Sequence, residues 1–294
     1  MLSWPTLMFH DSDPGPSSKP GGAADARPID VSAWIGGYPF REVPHPEPDI
    51  LVRVLEREGF AGAWVGHLPG AFHRDPAPSN RALYAALAGY RQQLHPTPIV
   101  RPDWPRWEVT LQEAIDQGAP AVRVYPAQWG LGPGHAALAE LMLACGERGI
   151  ALHVTVRFED LRQRHPLDTA GDVPAATLRA LARLKHSRGQ LVVAGCGREL
   201  LEETHWGLTP DEQRRVWYDF GWIWGPPEDH LAHLVQTVGA ERLVWSSWWP
   251  LRLAQQSRAL VDLLPDDVRA RTPDRLFADG RRIVIAARRS RERR

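Results

Sequence analysis

Between Gly149 and Leu167 the chain reads GIALHVTVRFEDLRQRHPL, and chemistry-bearing side chains are concentrated there. As an extended strand, its first half puts Leu152, Val154 and Val156 on one face and His153, Thr155 and Arg157 on the other. Polar groups on a buried face need partners, water or a ligand, because an unpaired buried polar group is costly. Glu159, Asp160, Arg162, Arg164 and His165 follow directly. Asp160 and His165 form the best candidate acid–base pair: a carboxylate that orients an imidazole fixes its tautomer and raises its basicity. Such a pair would let His165 activate water without a metal. The plainer alternative is a loop in which Asp160 caps a turn and His165 sits on the surface before Pro166. His153 likewise has a plain alternative, that of a hydrogen-bonded core histidine.

The same alternation sorts other stretches. Asp30, Ser32 and Trp34 share one face, and Arg123 and Tyr125 share another, while Asp219 interrupts the aromatic run VWYDFGW. If these faces converge, guanidinium, imidazole and carboxylate groups meet. Arginine suits bidentate binding of a carboxylate, so a small carboxylate-bearing substrate is the natural expectation. The alternative is that Arg123 and Asp219 neutralise each other inside the protein. His67 and His73 are weaker candidates. Tryptophan occurs 13 times. Trp34, Trp104, Trp129, Trp222, Trp224, Trp248 and Trp249 fall at predicted strand ends or in the loops after them, where they would form an aromatic rim suited to flat substrates.

What must position these groups is a recurring module: a helical stretch, a glycine, then a short β-rich run. It appears as EREGFAGAWVG, IDQGAPAVRVYP, GERGIALHVTV, HSRGQLVVAG and TVGAERLVWSS. The glycines sit where a helix end turns left-handed into the next strand. The pattern predicts eight strands, at about 28–35, 61–66, 97–101, 121–125, 151–157, 191–195, 216–222 and 242–247. Eight strands alternating with helices predict an α/β fold, a (β/α)8 TIM barrel, whose active sites lie beyond the C-terminal strand ends. A doubly wound sheet is the competing architecture, but no GxGxxG follows the first strand. Residues 1–26, rich in Pro, Gly, Ser and Asp, read as loosely packed; 27–282 as the barrel; 283–294 as a basic, solvated tail.

Charge and cysteine content narrow the function classes. The formal net charge is zero, which does not favour binding to nucleic acid or an anionic membrane. Two cysteines far apart in sequence make neither a disulfide scaffold nor a zinc knuckle. No apolar run is long enough to span a membrane and no signal-peptide pattern opens the chain, so a cytoplasmic protein is expected. No GxSxG elbow is present for a serine hydrolase of that type.

The order of these pieces resembles the amidohydrolase superfamily in its amidohydrolase-2 branch, metal-dependent hydrolases and decarboxylases on a (β/α)8 barrel. The resemblance runs from residue 28 to about 280. It rests on IDVSAWIGG at the first strand, the segment after Phe72 with Asn80, PAVRVYP at the fourth strand, and RLVWSSWWP at the last. The departures fall on the metal ligands. The family's His-x-His positions hold Ser32 and Trp34; its last-strand aspartate position holds Trp248; the sixth strand, LVVAGCG, lacks a histidine. Only His153, with Asp219, remains of the set, so the usual metal site is expected to be absent. The alternative is a divalent metal at a non-standard site built from Asp160, His165 and loop residues. Part of the chain is similar to a metal-poor subgroup of that branch, through Asp30, Val31, Gly36, Pro39, Phe40 and Arg41 and then Asp160, Arg162, His165 and Pro166.

The resulting expectation is a metal-independent hydrolase of a lactone or amide, without cofactor, with a small-molecule substrate as its partner and a homo-oligomer as an option. Asp160, His165, His153 and Asp219 are the candidate catalytic residues. Arg41, His67, Arg123, Tyr125, Arg157, Arg162, Trp34, Trp129 and Trp248 are the candidate substrate contacts. The alternatives are a decarboxylase of the same fold and a non-catalytic barrel that has lost its chemistry.

Overall fold

The computed structural model describes residues 26–185 and 187–292. The expectation for residues 1–26 therefore falls, residue 26 aside, outside the described residues. Eight parallel strands follow in order: β1 (Ile29–Ile35), β2 (Gly62–His67), β3 (Leu94–Pro96), β4 (Ala121–Val124), β5 (Ala151–Thr155), β6 (Gln190–Ala194), β7 (Val216–Asp219) and β8 (Leu243–Val244). Continuous ladders join β1 to β3 and β4 to β8. Two seams close the ring. The backbone of Arg123 on β4 pairs with Pro98 and Val100 at 2.8 and 3.1 Å, and β1 meets the segment after β8 through Val31–Trp245, Ser32–Trp248 and Trp34–Trp249. A closed ring excludes the doubly wound sheet and gives the expected (β/α)8 barrel.

The third strand lies earlier than predicted. Pro96 and Pro98 carry no amide hydrogen, so the ladder stops at Pro96, and contact with β4 shrinks to a bridge between Ile99 and Arg123. The expected solvated tail is also corrected. Gly280–Glu292 is a helix that buries Ile283 and Ala287 across the N-terminal end of the barrel. Arginines on its outer side hid an apolar i, i+4 pair.

Inward side chains form three storeys. The floor, at the N-terminal strand ends, is apolar: Ile29, Trp64, Ala121, Ala151, Val192, Trp217 and Val244, with Ile283 from the last helix. The middle storey is polar, holding Ser32, Arg123, His153 and Asp219, all fully buried. The ceiling is aromatic, with Trp34, Tyr38, Tyr125, Phe158, Trp222 and Trp248. The outward side chains of the same strands, among them Val122, Val124, Leu152, Val154, Leu191 and Val193, pack with the surrounding helices into the main core. Among the described residues no helix is long and apolar enough to cross a membrane.

Candidate functional site

Ser32 lies where β1 slips by one residue against β2, between the Asp30–Ala63 and Ala33–Val65 pairs. Such a bulge re-aims a side chain. The Ser32 hydroxyl donates to Asp219 Oδ2 at 2.8 Å and lies 3.1 Å from His153 Nε2. One hydroxyl hydrogen cannot serve both neighbours. With the hydrogen on Asp219, His153 Nε2–H donates to Ser32 Oγ and Nδ1 keeps a lone pair. His153 Nδ1 has no partner among the described residues. A neutral ring is what this site holds: burial, then the charge of Arg123, drives the His153 pKa well below its usual value.

Asp219 accepts from three donors, Ser32 among them. Oδ1 accepts from the Gly195 amide at 3.1 Å, and Oδ2 also accepts from Trp248 Nε1 at 2.7 Å. Burial raises its pKa to about 6 against these hydrogen bonds. Asp30, which accepts from the Ser32 amide and the Ser247 hydroxyl, is raised to about 6 for the same reason. Trp248 has φ 58°, a left-handed backbone that a tryptophan rarely adopts. Its amide donates to Ser32 O at 2.9 Å and its indole to Asp219, which hold it there. Trp34 lies against it, ring centroids 4.7 Å apart.

Arg123 does not pair with Asp219. Its Nε donates to Thr97 Oγ1 at 2.7 Å, and one terminal nitrogen donates to the carbonyls of Val31, Ala33 and Trp64. The Trp34 ring lies 4.4 Å from the guanidinium carbon. Gly66 makes room, because a Cβ there would sit 3.0 Å from Arg123 and from Trp34. Both expectations for Arg123, substrate binding and neutralisation by Asp219, give way to a structural strut across the barrel. Tyr125, fully buried beside it, receives the Trp34 indole N–H at 3.5 Å.

Above this layer the mouth is closed. Tyr38 and Phe40 from the loop after β1, Phe72 from the loop after β2 and Phe158 from the loop after β5 pack edge to face or tilted, with centroids 5.2–6.3 Å apart. Phe158 also lies over Tyr125 and Trp34. The space left beneath the β4 and β5 loops is about 10 Å³, room for one water. Arg41 clamps the plug: its Nε donates to Glu159 Oε1 at 2.8 Å and a terminal nitrogen to Leu251 O at 2.6 Å.

The Asp160–His165 pair does not form, which corrects the leading catalytic expectation. Asp160 Oδ1 accepts from the Arg162 amide and Nε at 3.0 and 2.8 Å, and these contacts lower its pKa. His165 is exposed, stacked on Phe40 at 5.5 Å, with Nδ1 accepting from the Leu167 amide at 3.1 Å. The loop alternative describes both. The remaining expected contacts are dispersed. Arg157 pairs with Asp172 at 3.2 Å and donates to Gly195 O. Arg162 stands outside, over Trp224. His67 lies beside Gly36 at the end of β2, its pKa lowered by burial, and Trp129 packs on Tyr125. Of the expected site residues, the barrel brings together His153, Asp219, Arg123, Tyr125, Trp34 and Trp248.

These residues do not make the cation cradle that the resemblance implies. A divalent ion needs several N or O donors converging at about 2 Å. Here His153 and Asp219 spend their facing atoms on Ser32, Gly195 and Trp248, and two indoles fill the remaining space. Among the described residues no three His, Cys, Asp or Glu side chains gather as a metal-holding set, around Asp160 and His165 included.

Strand order and closure define a (β/α)8 barrel, and solved structures bear this out at the level of fold. The chain is similar to an uncharacterised TIM-barrel protein from Bordetella bronchiseptica (14% identity, 88% of this chain and 99% of that one, TM-score 0.60). It is similar to a probable 2-pyrone-4,6-dicarboxylic acid hydrolase from Acinetobacter baumannii (13%, 90% and 94%, TM-score 0.52). It is also similar to 5-carboxyvanillate decarboxylase from Sphingomonas paucimobilis (13%, 88% and 99%, TM-score 0.58). No family model and no curated protein sequence matches it.

Proposed function

We propose that this chain is a metal-independent barrel of the amidohydrolase fold that has given up turnover at its C-terminal mouth and serves as a binding or scaffold protein. One observation carries the reading: Ser32 is hydrogen-bonded to both His153 and Asp219, and all three are fully buried beneath Trp34, Trp248 and Phe158. A nucleophile or base must come within about 3 Å of a reacting atom. No atom of a substrate fits in that layer or in the space of about 10 Å³ above it. The arginines expected to hold a carboxylate are committed instead, Arg123 to backbone carbonyls, Arg41 to Glu159 and Arg157 to Asp172.

Lactones, amides and aromatic esters offered to the purified protein are expected to hydrolyse at the buffer rate, and hydroxybenzoates to release no carbon dioxide. Turnover that disappears in Ser32→Ala or His153→Gln would overturn the reading. It would favour instead metal-independent hydrolysis or decarboxylation of a small ring carboxylate, for which one observation speaks: Ser32 Oγ within hydrogen-bond reach of both an imidazole and a carboxylate.

A further inference from the structure

The opposite end of the barrel is open. A cleft of about 1010 Å³ lies between the last helix, Gly280–Glu292, and the N-terminal strand ends. Its walls are apolar, with Ile29, Trp64, Ile150 and Val284. Its rim carries four arginines, Arg148, Arg281, Arg288 and Arg291, against two glutamates, Glu147 and Glu292. Arg288 and Arg291, one turn apart on the last helix, line it, and neither has a carboxylate partner among the described residues. Arg281, on the same rim, is paired with Asp279 at 3.0 Å.

A second observation is independent of the charges. Trp64 is 1% exposed, and its indole N–H has no acceptor among the described residues; unlike the nitrogens of Trp129, Trp222 and Trp249 it is not sealed from solvent. Indole N–H groups are donors only and are usually paired when buried. This one faces the cleft beside Gly280, where a Cβ would come within 2.7 Å of the nitrogen. Glycine at that position keeps the donor uncovered.

We propose that this cleft is a binding site for an amphipathic anion, an apolar chain or ring bearing a carboxylate or phosphate head. The apolar body lies on Ile29, Ile150 and Val284, and the head group accepts from Arg288 and Arg291. The Trp64 N–H hydrogen-bonds an acceptor on the ligand. Such a site is separate from the closed mouth and does not depend on how the mouth is read.

The test is calorimetric titration of the full chain with decanoate, decyl phosphate and decan-1-ol. Decanoate, decyl phosphate or both are expected to bind saturably, and the stronger of the two identifies the head group. The alcohol is expected to bind more weakly. The double variant R288E/R291E should weaken anion binding at least about tenfold, since charge-assisted hydrogen bonds are lost, and leave the alcohol unchanged. Trp64→Phe, which keeps an aromatic ring but removes the donor, should weaken it by about three- to tenfold. Absence of saturable anion binding to the wild type overturns the proposal, as does binding that R288E/R291E leaves intact while circular dichroism shows the variant folded.

Discussion

The two ends of this barrel have opposite constructions. At the C-terminal end, where such barrels keep their reactive groups, the loops after β1, β2, β4, β5, β7 and β8 contribute aromatic rings to a lid, and the space beneath the β4 and β5 loops is about 10 Å³. At the N-terminal end, which in such barrels is ordinarily a plain structural base, a helix stands off from the strand ends and leaves a cationic, apolar-walled cleft. Most polar side chains at the first end are spent on one another, though His153 Nδ1 and a terminal nitrogen of Arg123 are left sealed without a partner; at the second, two arginines and an indole N–H that have no partner among the described residues open to a cleft. The difference teaches that burial of polar groups need not signal a working site. A layer whose hydroxyls and carboxylates are spent on one another specifies how the barrel closes, and a donor left open to a cleft is the better guide to a ligand.

This contrast can be broken or sharpened by substitution. The largest effect is expected for Arg123→Leu, which strips four hydrogen bonds from Thr97 and three carbonyls in the sealed interior. A loss of about 3–5 kcal/mol in chemical denaturation is expected, as for other broken buried charge networks. A loss under 1 kcal/mol would mean that Arg123 is not a strut.

Next is Phe158→Ala, which removes the ring touching Trp34, Tyr38, Phe72 and Tyr125. A cost of about 3 kcal/mol is expected from the cavity left behind. If the mouth were a mobile lid, unfolding would barely change and new turnover or ligand binding would appear.

The third concerns pH. Burial raises the Asp219 pKa from an unfolded value of 3.8 to about 6. The native state therefore holds its proton more tightly than the unfolded chain, and the group's stabilising contribution, complete below pH 4, is lost as pH rises through 6. The stability of the wild type relative to Asp219→Asn should accordingly fall by about 2–3 kcal/mol between pH 4 and 7. Comparing the two proteins isolates this group from the lowered histidines, His153 among them, which act in the opposite sense. A flat difference would mean that Asp219 is charged throughout.

The smallest effect is at the open end. Arg288→Glu with Arg291→Glu should change unfolding stability by less than about 0.5 kcal/mol, because both side chains are exposed and unpaired. A large destabilisation would assign them to folding rather than to a ligand.

Much of the barrel was legible in the sequence because its signals are local. Glycine-ended modules mark five of the helix-to-strand turns, with Gly59, Gly118, Gly149 and Gly239 left-handed as expected and Gly189 not, and strict alternation puts Arg123 and His153 inward. The third strand was displaced because proline, with no amide hydrogen, ends a ladder that an apolar run seems to continue. The Ser32–Asp219 bond joins residues 187 apart and exists only once the ring has closed, with β1 bulged, so nothing near Ser32 announces it. Asp160 and His165 misled in the opposite way. Five positions apart, they looked like a pair, but Arg162, two positions on, takes the carboxylate, and a loop imposes no helical spacing that would turn them together. The last helix had a readable signal in Ile283 and Ala287, concealed by the arginines around them.

Arg41 carries one more implication. A single guanidinium reaches from the β1 loop to Glu159 beyond β5 and to the Leu251 carbonyl beyond β8, so three chain segments share one knot. None of them can lift away alone without breaking it. Amide exchange in these three segments should therefore run at a common rate, as one cooperative unit, rather than as three independently breathing loops.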